Sequence, residues 1–162
     1  MEHLWSPWRY RYVTTERTGA GCIFCTVAAA GQDEENLIVY RGRHNFIVLN
    51  RFPYTSGHLM IVPYAHVDSL ESASTEILQE MILLAQRAQR HLREIYNPDG
   101  LNLGMNLGES AGAGIAGHIH LHVLPRWSGD TSFMTAVAET RVLPEDLPAT
   151  YCKLSEAFRQ NG

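Results

Sequence analysis

Between Gly117 and Pro125 the chain reads His118-Ile119-His120-Leu121-His122-Val123-Leu124, three histidines alternating with aliphatic residues. In an extended strand successive side chains leave on opposite faces. This spacing therefore sends all three imidazoles one way and Ile119, Leu121 and Val123 the other, into a core. One sheet face is expected to carry a solvent-facing row of groups able to act as nucleophile, acid, base or metal ligand near neutral pH.

The rest of the chain supplies a sheet for that strand to join. Leu37–Tyr40, Phe46–Asn50 and His58–Pro63 read as short strands, and the linker Arg51–Gly57 carries the Pro53 and Gly57 expected between strands. From Ser74 to Tyr96 the period changes. Ile77, Met81, Leu84, Ala88, Leu92 and Ile95 recur at helical steps, with Ser74 as N-cap, Glu76 in the first turn and Asn97-Pro98-Asp99-Gly100 as the stop. Leu101–Leu107 reads as a strand, Gly108–Gly114 as a glycine-rich loop leading into the histidines, and Leu147–Gln160 as a final helix. Short links between neighbouring strands predict an α+β fold with a largely antiparallel sheet of about five strands, a long helix and a C-terminal helix.

At 162 residues the chain fits one domain, 1–162, able to bury roughly 70% of its unfolded surface. Residues 1–21, rich in Trp, Tyr and Arg, read as an N-terminal arm packed on the body or on a partner. A net charge of −4 disfavours a general binder of polymeric nucleic acid, although backbone amides can still hold a local phosphate. No apolar run approaches the roughly 20 residues that span a bilayer, so no membrane partner is expected. The first residues lack the basic-then-apolar order of a signal peptide. Cys22, Cys25 and Cys152 make an odd set that suits a reducing compartment, and a cytoplasmic location is the expectation.

Two chemistries compete for the histidine row. Neighbouring histidines on a strand can chelate one ion, but the first and third would stand some 13 Å apart at about 3.3 Å per residue. Nucleophilic or acid–base use fits better. The loop Gly108–Gly114, preceded by Asn106, has backbone N–H groups suited to anionic oxygens. A phosphate held there would sit beside a neutral imidazole aimed at phosphorus, and phosphoryl or nucleotidyl transfer becomes the leading reaction class.

The run His118-Ile-His120-Leu-His122-Val-Leu resembles the signature of the histidine triad (HIT) superfamily of nucleotidyl hydrolases and transferases. Asn50…Pro53…Gly57-His58-Leu59-Met60-Ile61-Val62-Pro63 is similar to its second motif, and Asn106-Leu107-Gly108 and Pro125-Arg126-Trp127 also match. Leu4-Trp5-Ser6-Pro7-Trp8-Arg9 and Gly129-Asp130-Thr131-Ser132-Phe133 resemble a narrower bacterial branch, the diadenosine tetraphosphate phosphorylase-like proteins. The resemblance implies a HIT fold, a homodimer with its two sheets joined, and nucleotidyl transfer from a dinucleoside polyphosphate through His120. His118 and His122 would orient the nucleophile, and His58 would help with the leaving oxygen. Asn106, Gly112, Ala113 and Gly114 would hold the α-phosphate and Asn50 the ribose. Phe46 and Val48 would line the base pocket.

Inorganic phosphate would finish the reaction in a phosphorylase, and water in a hydrolase of dinucleotides or phosphoramidates. A nucleotide-binding sensor is the non-catalytic alternative. Many hydrolase members carry Gln or Ser with Ser or Thr where this chain has Gly114 and Ile115, so backbone amides or Ser110 must serve instead. The uridylyltransferase branch usually has Gln at the third histidine; His122 disfavours that activity.

By itself Cys22-Ile-Phe-Cys25 is a redox pair, half of a zinc site, or coincidence. A redox pair wants a helix N-terminus and a thioredoxin-like βαβ unit, neither of which the pattern shows. The resemblance implies a structural zinc completed by His66 and His118. His3, His44 and His91 read as surface residues, and Cys152 as a buried thiol in the last helix. Trp5 and Trp8 are expected to seal the sheet or an interface.

Overall fold

A computed structural model describes residues 21–131 and 143–160. The arm up to residue 20, with His3, Trp5 and Trp8, lies outside them, as do Ser132 and Phe133. The strands are β1 (Ile38–Arg41), β2 (Asn45–Leu49), β3 (Leu59–Pro63), β4 (Gly100–Gly104) and β5 (Leu121–Arg126). Among the described residues the helices are α1 (Ile23–Ala29), α2 (Thr75–Tyr96) and α3 (Leu147–Gln160), with a 3-10 turn at Glu109–Ala111. All strand pairs are antiparallel, in the order β1-β2-β3-β5-β4. This is the expected α+β architecture.

Register decides which side chains share a face. Met60 pairs with Val48 on one side and His122 on the other, and His122 pairs onward with Gly104. Val48, Met60 and His122 thus form one row across the sheet, on the face that also holds Phe24 and Phe46. The alternate residues Ile47, Leu49, Leu59, Ile61, Leu121 and Val123 pack the other face against α2 and α3. Both faces of β2 and β3 are covered, so every residue of these strands is buried.

Helix α2 begins where expected: Ser74 Oγ accepts the Ile77 N–H at 3.4 Å, and Asn97 closes the helix in the left-handed region at φ 42°. His91 corrects the surface expectation. It falls three residues after Ala88, on the buried stripe, with 1% exposure and its ring edge-on to Phe158 at 4.6 Å. Burial holds its imidazole below the ordinary range despite the Glu94 carboxylate 3.4 Å away. His44 is half-buried. Cys152 is also corrected: α3 buries Thr150, Leu154, Ser155 and Phe158, and Cys152 lies on the exposed face between them.

Three elements differ from the sequence pattern. Strand β4 stops at Gly104, because its partner strand starts only at Leu121 and the ladder ends at the Gly104–His122 pair. His118 and His120 therefore precede the strand, in chain pinned by the Ile119 N–H donating to Val67 O at 2.8 Å. Helix α1 was not expected; it is seven residues long and Cys22 caps it without a side-chain hydrogen bond.

Glu80 of α2 latches the β1–β2 hairpin. Its carboxylate accepts the N–H groups of Arg43, His44 and Asn45, each at 2.7 Å, and Asn45 Nδ2 at 2.9 Å. Burial opposes its charge, but the bonds from Asn45 and the three amides outweigh it and hold the carboxyl below the usual range. Glu80→Ala is expected to destabilise the protein by about 2–3 kcal/mol, roughly 5–10 °C in melting temperature. A depressed carboxyl stabilises above its unfolded value and loses that contribution as pH falls through its folded value. The difference from wild type should therefore narrow below about pH 4.3. Superimposable melting curves at pH 7 would remove the latch.

Candidate active site

A cavity of about 1030 Å³ opens on the Val48–Met60–His122 face of the sheet. Among the described residues, α1 and its cap wall it with Cys22, Phe24 and Val27, the β2–β3 loop with Asn50, Arg51, Phe52 and Tyr54, and the chain before β5 with Gly112 to Gly117. His120 and His122 reach it together, their rings 4.8 Å apart. His118 does not line it. The expected row is divided: the Phe24 ring lies 5.4 Å from His118 and 5.1 Å from His120. Nor does the row face solvent as expected: His118 is 0% and His120 6% exposed and His122 is half-buried, because α1 and the loops cover this face.

Hydrogen bonds fix the imidazole protons, because several partners act in one sense only. His120 Nδ1 lies 2.9 Å from the His118 carbonyl, a pure acceptor, so Nδ1 carries the proton and Nε2 keeps its lone pair. On His58, Nδ1 accepts the Tyr54 N–H at 3.2 Å and Asn50 Nδ2 at 3.3 Å, which puts the His58 proton on Nε2. The Phe52 N–H donates to Asn50 Oδ1 at 3.0 Å and sets that amide's orientation. His58 Nε2 then donates to His122 Nδ1 at 2.8 Å, leaving the His122 proton on its own Nε2. The cavity receives a lone pair from His120 and an N–H from His122.

Burial lowers the basicity of both groups, and His120 adds to the effect on His122, which is held down to about 4. Both imidazoles are neutral at pH 7, the state a nitrogen nucleophile needs. His58, wholly buried, supports the pair from behind. Val48 lines the cavity, whereas Phe46 is fully buried and packs beside it in the same cluster. Asn50 lines the cavity too, and its amide is also a member of the histidine chain, a role that the spacing of Asn50 and His58 did not reveal.

The glycine loop is more structured than the sequence suggests. The N–H groups of Ala111, Gly112 and Ala113 turn back onto Gly108 and Glu109 carbonyls, with Gly108 and Gly112 at φ 80° and 86°. Asn106 Nδ2 reaches Gly112 O at 3.5 Å, and Gly114, Ile115 and Ala116 continue along the cavity wall. Ser110 is exposed in the 3-10 turn; Glu109 beside it lines the cavity.

Behind the cavity wall, one ligand atom from each of Cys22, Cys25, His66 and His118 lies within 4.8 Å of the others. His118 Nε2 donates to the Pro63 carbonyl at 2.9 Å, so Nδ1 presents its lone pair to Cys22 Sγ at 3.2 Å. His66 Nδ1 stands 3.3 Å from that nitrogen and 3.5 Å from Cys25 Sγ. Burial pushes the Cys25 thiol up and neighbouring Cys22 adds to it, while burial holds His118 below the ordinary imidazole range. Two thiols and two imidazole nitrogens this close together are donors able to hold a metal ion, and a cation would reverse the cost of ionising the thiols. Cys22 does stand at a helix N-terminus, contrary to expectation, but among the described residues the antiparallel sheet offers no thioredoxin-like βαβ unit.

Comparison with known proteins identifies the family of this fold. The family model described as HIT domain matches residues 31–129. The AP-4-A phosphorylase of Mycobacterium tuberculosis (strain H37Rv) is 37% identical over 157 residues, covering 93% of this chain and 80% of that protein. The protein hit of Bacillus subtilis is 31% identical over 129 residues, covering 78% of this chain and 86% of its own. Among solved structures, a Zn-bound histidine triad family protein from Mycobacterium smegmatis superposes with a TM-score of 0.70 at 31% identity, covering 86% of this chain and 94% of that one. With a matching profile over most of its length and relatives of this identity, the chain belongs to the HIT domain family.

Proposed function

We propose that the protein cleaves dinucleoside polyphosphates, diadenosine tetraphosphate being the reference substrate, through a covalent nucleotidyl-His120 intermediate that inorganic phosphate resolves. The observation that carries this reading is the pair of neutral imidazoles facing one cavity, one offering a lone pair and the other an N–H. The 37% identity to a mycobacterial AP-4-A phosphorylase supports the choice of substrate.

His120 Nε2 forms a bond to the α-phosphorus, and the bond from that phosphorus to the bridging oxygen breaks. The electron pair leaves with the nucleoside triphosphate, whose oxygen takes a hydrogen bond from His122 Nε2–H. A polyphosphate leaves without a full proton, so a neutral donor suffices. Positive charge on the phosphorylated imidazole is stabilised by the Nδ1–H bond to the His118 carbonyl. Asn106 and the chain at Gly112 to Gly114 along the cavity wall receive the equatorial oxygens, and the Val48–Met60 side receives the base. A phosphate oxygen then attacks the same phosphorus, the P–N bond breaks, and its electrons return to His120. The products from diadenosine tetraphosphate are ATP and ADP.

Cys22, Cys25, His66 and His118 form the zinc site in this reading, supported by the zinc-bound mycobacterial relative. A closed Cys₂His₂ set supplies cross-linking rather than chemistry: it ties α1 to the chain before β5. Reduced thiols in that set suit a cytoplasmic setting. An edge strand β4 with exposed Leu103, and exposed Ile82 and Leu83 on α2, support a homodimer joined through its sheets.

The discriminating experiment is incubation with diadenosine tetraphosphate, with and without inorganic phosphate, followed by mass analysis of the products. ADP and ATP formed only with phosphate are expected. AMP formed in either case would replace the phosphorylase by a hydrolase, and binding without turnover would reduce the protein to a nucleotide sensor.

A further inference from the structure

The cavity is larger than one nucleoside monophosphate needs, since pockets of about 300–1,000 Å³ hold drug-sized ligands and this one encloses about 1030 Å³. Its two sides differ in chemistry. Phe24, Val48 and Met60 make one side apolar and buried. The other is the β2–β3 loop, where Arg51, Phe52 and Tyr54 line the cavity. Phe52 is 71% exposed, more than any other large hydrophobic side chain among the described residues.

This loop is tied to the histidine chain. Phe52 N–H is held by Asn50 Oδ1 and Tyr54 N–H by His58 Nδ1, so both ends of the Phe52 segment hang on the bonds that set the His122 tautomer. The Tyr54 ring lies 5.0 Å from the His58 ring and stacks over His122 at 6.4 Å with an interplanar angle of 26°. Arg51 is anchored at the rim by Nη2 donating to the Glu35 carbonyl at 3.2 Å. His122 Nε2–H marks the leaving-oxygen side of the reaction, and Tyr54 covers His122. The loop therefore borders the path of the leaving group.

We propose that this loop is the subsite for the leaving half of the substrate, with Phe52 stacking on the second nucleobase and Arg51 facing the polyphosphate chain. A phenyl ring held exposed on an anchored loop loses burial in the free protein and regains it under a base, and such stacking tolerates any base. The guanidinium supplies the opposite charge for the departing phosphates. This subsite makes the site selective for dinucleotides over mononucleotides, and it rests on the reading given under Proposed function.

The test measures two constants for wild type and Phe52→Ala: KM for diadenosine tetraphosphate and the inhibition constant of AMP, which occupies only the side away from the loop. Loss of one base stack is expected to raise the ratio of KM to the AMP constant about tenfold, with Phe52→Trp restoring it. Arg51→Met should raise the same ratio and weaken the salt dependence of KM. An unchanged ratio in Phe52→Ala overturns the subsite while cleavage by the wild type stands. A parallel rise of both constants also overturns it, showing that Phe52 only shapes the loop. If wild type cleaves no dinucleotide, the underlying function fails first.

Discussion

His120→Ala is expected to lower turnover of diadenosine tetraphosphate by roughly 10⁴–10⁶-fold while nucleotide still binds, the signature of a missing nucleophile rather than a missing contact. The Nδ1–H bond to the His118 carbonyl leaves Nε2 as the ring's one available lone pair, and a methyl group offers none. His122→Ala separates the roles. In the proposed mechanism it would remove the hydrogen bond to the leaving oxygen but keep the nucleophile, so its loss should shrink when AMP carries a better leaving group such as p-nitrophenol. The His120 variant should gain nothing from that substrate. Without phosphate, wild type should accumulate an acid-labile AMP adduct visible as intact-protein mass, formed by the His122 variant slowly and by the His120 variant not at all. Because His122 is held to about 4, it stays neutral, with Nδ1 accepting from His58, well below the ordinary histidine value of about 6.5. Adduct formation should accordingly show no acid limb from His122 between about pH 6 and pH 8. Full activity in His120→Ala would end the covalent mechanism.

Much of this architecture was legible because periodicity reports burial. Helix α2 starts after Ser74, and α3 occupies the expected Leu147–Gln160. What periodicity missed were elements whose shape comes from distant partners. Helix α1 has seven residues and no capping side chain, too little to hold itself in water; Phe24 and the Cys/His cluster hold it from outside. The alternation at His118–His122 correctly sent Ile119, Leu121 and Val123 to the core, but it did not show that His118 faces a different site from its neighbours. That division depends on Phe24 and on Pro63 O, residues far away in sequence. His91 was legible in principle, since its three-residue step from Ala88 places it on the helix stripe. The Asn50–His58–His122 chain was not, because a tautomer is set by three-dimensional contacts.

Metal removal is the second large effect. Protein purified without chelators is expected to contain about one zinc per chain, and stripping it should lower the melting temperature by roughly 10 °C, as for a ligand lost from about a thousandfold over its dissociation constant. Cys25→Ser should reproduce this, since one sulfur of the Cys₂His₂ set is gone. The effect reaches the cavity through two connections. Cys22, Phe24 and Val27 of the α1 region are cavity wall, and the carbonyl of His118 holds the His120 ring through Nδ1. Loss of the cross-link should thus speed amide exchange across Ile23–Ala29 far more than in β2 or β3, whose residues are buried on both faces. Affinity for AMP should fall with it, because Phe24 is part of the apolar side of the cavity. Exchange and affinity isolate the structural role without relying on turnover. If elemental analysis finds no metal and Cys25→Ser melts and exchanges like wild type, the four side chains are a packed cluster and α1 is held by Phe24 alone.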